Sequence, residues 1–92
     1  MIDVHDVLED PPRLLTLLCQ AVGLEFQDSM LSWPPGRRET DGAWAPYWYD
    51  SVEGSTGFQR HQPKDEPVPE DYRGLLDECH RYYRELWQHR LC

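Results

Sequence analysis

The residues best suited to chemistry in this chain are Arg37 and Arg38, carried between Gly36 and Gly42 just ahead of a helix start near Trp44. A guanidinium can give an anion two parallel hydrogen bonds, and a helix start adds free N–H groups and the positive end of the helix dipole. Together they point to binding an anion such as a phosphate. The same stretch, Met30 to Phe58, holds three of the four Trp and two of the five Tyr. A second reading therefore stands beside the first: Trp33, Trp44, Trp48 and Tyr49 fill a small core, and the Arg pair is merely solvated. Other chemistries find no footing. His5, His61, His80, His89, Cys19, Cys79 and Cys92 show no CxxC or HxxxH spacing, and the adjacent Cys79 and His80 point to different faces of a helix, so no metal is expected. There is no GxSxG elbow for a nucleophilic serine and no GxxxxGK[ST] phosphate loop, and the one lysine, Lys64, lies in a polar Pro-containing stretch.

Composition narrows the partners. Ninety-two residues make one small module, with 17 acidic against 9 basic residues and a net charge of −8. Over most of its surface such a chain repels nucleic acid and anionic lipid, so any anion site must be local. Three widely spaced cysteines argue against a secreted disulfide scaffold and fit a reducing cytoplasm. The first residues, MIDVHDVLED, are acidic where a signal peptide needs positive charge, and no apolar run approaches the roughly 20 residues of a membrane span.

The elements that must position the Arg pair are mostly helical. Residues 1–10 read as a short extended segment, because Ile2, Val4 and Val7 are interleaved with Asp3 and His5; a lone strand of this kind needs a partner, supplied from outside this sequence or by a second copy of the chain. Asp10 followed by Pro11 and Pro12 opens a helix over 11–23, with an apolar stripe of Leu14, Leu15, Leu18 and Val22 and a stop at Gly23. Within 30–58, Pro34 and Pro35 end a short turn, and a second helix begins at Asp41 or Ala43 with Trp44, Trp48 and Val52 on one face. Residues 59–68 form an exposed polar loop. A last helix over 69–91 carries Tyr72, Leu75, Leu76, Cys79, Tyr83, Leu86, Trp87 and Leu91 at helical spacing.

The loop Arg37-Arg38-Glu39-Thr40-Asp41-Gly42-Ala43-Trp44 is similar to the Arg-Lys-Gly-x-x-Gly-x-Trp motif near the C-terminus of P-loop sulfotransferases. Ahead of it, Val7-Leu8-Glu9-Asp10-Pro11 with its Leu-rich helix and Gly23-Leu24 resembles the strand-to-helix passage of that family. The run from Met30 through Trp44-Ala45-Pro46-Tyr47-Trp48-Tyr49 to Ser55-Thr56-Gly57-Phe58 looks like the C-terminal region of a bacterial sulfotransferase-like group. The resemblance implies that Arg37 and Arg38 contact the 3′-phosphate of the sulfuryl donor PAPS or its product PAP. It implies further that Gly42 lets the backbone approach closely and that Trp44 anchors the following helix. Glu39 departs from the motif by standing where the family has Gly. The family's N-terminal phosphate loop, its catalytic base and most of its parallel sheet have no counterpart in these residues.

The reading is a mainly α module of about three helices with one short N-terminal extended segment, similar to the C-terminal part of an α/β P-loop sulfotransferase fold. Its expected role is to complete the nucleotide 3′-phosphate site of a P-loop partner segment, without catalysis of its own. The alternative is a stand-alone helical protein-interaction module with no nucleotide chemistry.

Overall fold

Asp3 begins a helix where alternation predicts a strand. In the computed structural model, which describes all 92 residues, helix α1 spans Val4–Glu9, and the Asp3 side chain caps it by accepting from the His5 N–H at 2.9 Å. Two short periods of Val and polar residues satisfy a helical spacing of Val4, Val7 and Leu8 equally well, and the cap decides between them. The expected extended segment is therefore a correction. Its backbone groups bond inside the chain: the Val7 N–H donates to the Asp3 carbonyl, and the Leu91 N–H to the Met1 carbonyl at 2.9 Å.

Asp10 ends α1 and starts α2, Pro11–Val22, accepting from the Arg13 N–H at 3.2 Å. The stop is Gly23, at φ 75°, where the left-handed backbone suits glycine; the Leu24 N–H reaches back to the Cys19 carbonyl at 2.8 Å. Helix α2 packs against α1 and supplies Leu14 and Cys19, two of the only four buried residues; Ala45 and Asp3 are the others.

The stretch Met30 to Phe58 is a loop closed at its base. An antiparallel bridge joins Ser32 and Gly57, and the Trp33 N–H donates to the Thr56 carbonyl at 3.0 Å. The Trp33 indole N–H donates to the Ser55 hydroxyl at 2.9 Å, and its ring meets Phe58 edge-on at 5.4 Å. Gly57 fits closely here, because a Cβ would lie 3.2 Å from the Leu31 carbonyl oxygen, tighter than an ordinary contact. The expected second helix is two short ones, α3 (Ala45–Trp48) and α4 (Asp50–Glu53), divided at Tyr49. The face carrying Trp44, Trp48 and Val52 is turned outward, opposite the buried Ala45, so the reading of Trp44 and Trp48 as core filling fails.

Residues 59–68 hold no regular structure and all but His61 are exposed. After a 3₁₀ turn at Glu70–Tyr72, helix α5 runs over Arg73–Trp87, shorter than the expected 69–91. It buries none of its residues and is held at its C-terminal end. There the Tyr83 hydroxyl donates to Asp3 and the Arg90 Nε to Asp6 Oδ2 at 2.7 Å, while the Arg90 guanidinium lies 3.5 Å from the centre of the Trp87 ring.

The result is mainly helical, with five helices and no strand, as expected in class. It is also open. The chain exposes 8040 Å², whereas a folded monomer of 10.9 kDa exposes about 5,600 Å². Its radius of gyration is 16.7 Å against about 12 Å for a compact domain of this length. No helix is long and apolar enough to cross a membrane.

Candidate functional site

The loop that carries Arg37 and Arg38 leaves the closed base through Gly36, whose φ of 112° is open to glycine and strained for other residues. The Gly36 N–H donates to the Glu53 carbonyl at 2.7 Å, tying the loop entrance to the end of α4. Two hydrogen bonds then close a tight turn: the Arg38 N–H donates to Asp41 Oδ2 at 3.0 Å, and the Asp41 N–H to the Arg38 carbonyl at 3.1 Å. This is the local chemistry by which Asp favours turns, and it fixes the backbone of Arg38 while leaving its side chain uncommitted.

Neither the Arg37 nor the Arg38 guanidinium enters a hydrogen bond or ion pair within the chain, in contrast to Arg13, Arg73 and Arg90. Arg37 is exposed and Arg38 half-buried. Glu39, between Arg38 and Thr40, is exposed and pairs with neither arginine. At Gly42 no atom lies within 4 Å of where a Cβ would be, so the backbone there is open to close approach from outside; its carbonyl accepts from the Ala45 N–H at 3.0 Å. Trp44 precedes α3 as its cap residue and is 70% exposed. Within this chain most of its surface is uncovered. Tyr47 at 77% and Trp48 at 72% continue the same uncovered aromatic surface beside the Arg loop.

An arrangement of this kind offers the groups that an anion needs. Two uncommitted guanidinium groups and an open glycine suit a phosphate. No nucleophile or base stands in hydrogen-bond contact with them. The groups with perturbed acidity lie elsewhere, in the clasp between the chain ends. The Tyr83 hydroxyl holds the Asp3 carboxyl below the usual carboxylate range, against the upward pull of burial, and the same hydrogen bond raises Tyr83. The sequence pattern placed Tyr83 on a helix and Asp3 in the N-terminal segment but pointed to no contact between Asp3, Asp6, Tyr83 and Arg90. Pairs formed across nearly the whole chain leave no spacing to find, although the acidic N-terminus and the arginines after Tyr83 are visible in composition.

A family model described as "Sulfotransferase domain" matches residues 1–89. Two curated proteins of Arabidopsis thaliana, "Branched-chain-amino-acid aminotransferase-like protein 2" and "Branched-chain-amino-acid aminotransferase-like protein 1", are each 37% identical over 89 residues, which is 97% of this chain. The match covers 16% of each relative, so the chain spans about a sixth of their length. No solved structure matches it.

Proposed function

The chain belongs to the sulfotransferase domain family, and on that premise we propose that it supplies the 3′-phosphate contacts of a sulfuryl-donor nucleotide site whose phosphate-cradling loop lies on another polypeptide segment. Arg37 and Arg38 bind the 3′-phosphate of PAPS or PAP, the Gly42 backbone borders it, and Trp44 with Trp48 docks on the partner segment. The donor brings the sulfuryl group; this chain binds and orients the nucleotide end that does not react. The observation that carries the reading is the pair of uncommitted guanidinium groups on a loop closed by Arg38 and Asp41. Two further observations support it. The chain exposes about 2,400 Å² more than a folded monomer of its mass, within the range of an obligate interface. In both relatives the matching stretch belongs to a much longer chain.

A second reading, a helical interaction module without nucleotide chemistry, is favoured by one observation: the exposed Trp44, Tyr47 and Trp48. Calorimetric titration of PAP and of adenosine 5′-phosphate into the chain separates the two. The nucleotide reading expects PAP to bind more tightly, because only PAP carries the 3′-phosphate. Equal affinities, or no binding of either once the segment carrying the phosphate-cradling loop is supplied, would replace it with the interaction-module reading.

A further inference from the structure

No spacing in the sequence suggests a metal site, yet the fold gathers three ligand-type side chains and sets a second imidazole beside them. His5, Asp6 and Glu9 lie on α1, with donor atoms all within 4.8 Å of one another. His5 Nδ1 is 3.7 Å from Glu9 Oε2 and 3.9 Å from Asp6 Oδ1. Ligand atoms around a tetrahedral zinc ion, at bond lengths near 2.0–2.2 Å, stand about 3.3–3.6 Å apart, so the two His5 distances lie within about half an ångström of a coordination edge. Beside His5 stands His61, on the 59–68 loop, whose ring centre is 4.9 Å from that of His5 at an interplanar angle of 67°. Two imidazoles bound to one tetrahedral ion have ring centres roughly 5 Å apart, which this pair already matches.

Orientation is also provided. Asp6 gives Oδ2 to Arg90 at 2.7 Å, which holds the carboxylate and leaves Oδ1 toward His5, the kind of outer contact that fixes a metal ligand. Asp3, Asp6 and Glu9 make the surroundings of His5 anionic, and Arg90 offsets one of these charges. Arg60, which borders the cleft beside His61, is the other nearby cation.

We propose that His5, Asp6, Glu9 and His61 bind one borderline transition-metal cation, best matched by zinc, which pins the 59–68 loop to α1. Two imidazoles with carboxylate oxygens suit zinc, whereas magnesium and calcium prefer all-oxygen shells. The site uses none of the residues assigned to the nucleotide, so it stands or falls independently of that reading.

The test is calorimetric titration of zinc chloride into the full chain after alkylation of its cysteines, since the exposed Cys79 and Cys92 would themselves capture zinc. Binding of one ion per chain is expected, weakened at least about tenfold by Glu9→Gln and by His61→Asn. It is expected to be unchanged by His80→Asn and His89→Asn, and unaffected by excess magnesium. Both substituted ligands are outside the core, so misfolding does not mimic the loss. No saturable binding, binding that survives His61→Asn, or binding abolished by His80→Asn would each overturn the proposal.

Discussion

Replacing Arg37 and Arg38 together by Ala removes the two groups on which the nucleotide reading rests. Arg37 is exposed and Arg38 half-buried, so the interaction of each with a phosphate lies near the watery end of the scale. A unit charge pair at about 4 Å is worth roughly 1 kcal/mol in bulk water and roughly 4 kcal/mol where the effective dielectric is near 20. Taking about 0.5–1 kcal/mol for the solvated Arg37 and about 1–1.5 kcal/mol for Arg38, the double substitution costs about 2 kcal/mol, close to thirtyfold in PAP affinity. Adenosine 5′-phosphate should lose much less, so the preference for PAP should collapse toward unity. Glu39→Gly should act in the opposite sense, improving PAP binding about two- to fivefold by removing a carboxylate from the loop. Both effects should shrink between about 0.05 and 0.5 M salt as exposed charges are screened. Competition calorimetry at two salt concentrations reads all of these quantities. An unchanged PAP preference in the double-Ala chain, with circular dichroism like that of the wild type, would refute the phosphate assignment.

The clasp between the chain ends gives stability a dependence on pH at both extremes. Asp3 titrates lower in the folded chain than in the unfolded one, so its contribution is present above about pH 4 and lost as the pH falls through the lowered value; Tyr83, raised, contributes below about pH 10 and ceases to do so as the pH rises through its folded value. Urea midpoints measured against pH should fall at both ends, and Asp3→Asn should flatten the acid limb. Leu14→Ala should destabilise by about 2–4 kcal/mol, since Leu14 is the one large side chain fully enclosed, while Trp44→Ala should change stability by less than about 0.5 kcal/mol. Equal losses in urea unfolding would show that Trp44 is packed after all. Gly57→Ala should push the Ser32–Gly57 bridge apart, because its Cβ meets the Leu31 carbonyl, at a cost of about 1 kcal/mol. Faster hydrogen exchange of the Trp33 amide is the expected readout.

Elements whose signals are local were legible in the sequence. Helix α2 announces itself through Asp10, the two prolines and Gly23, and α5 through its repeating apolar positions. The first helix was not legible, because a six-residue segment offers too few periods to tell 2 from 3.6. What decides it is a capping bond that the Asp3 side chain accepts from the His5 N–H, and that side chain is held in place by a tyrosine at the other end of the chain. The middle helix was read as one because four-residue spacing passes straight through Tyr49, where the backbone departs from helical geometry. Of the candidate site, residue types and loop boundaries were readable from Gly36, the Arg pair and Gly42. The closing turn at Asp41 and the outward aromatics depend on backbone direction, which composition does not carry. The cluster of His5 with His61 belongs to the same class of feature: two residues far apart in sequence, joined by how a loop returns.

The hydrogen bond from the Leu91 amide to the Met1 carbonyl makes the two ends of this stretch neighbours. A longer chain carrying the same stretch can therefore enter and depart at one place, as in a domain insertion, without stretching the surrounding structure. Opening the Arg90–Asp6 pair would then do more than loosen a surface contact. It would part the incoming from the outgoing end of the stretch, and a pull on the host at that junction would be felt first by α1 and its cap rather than by the loop that holds the arginines.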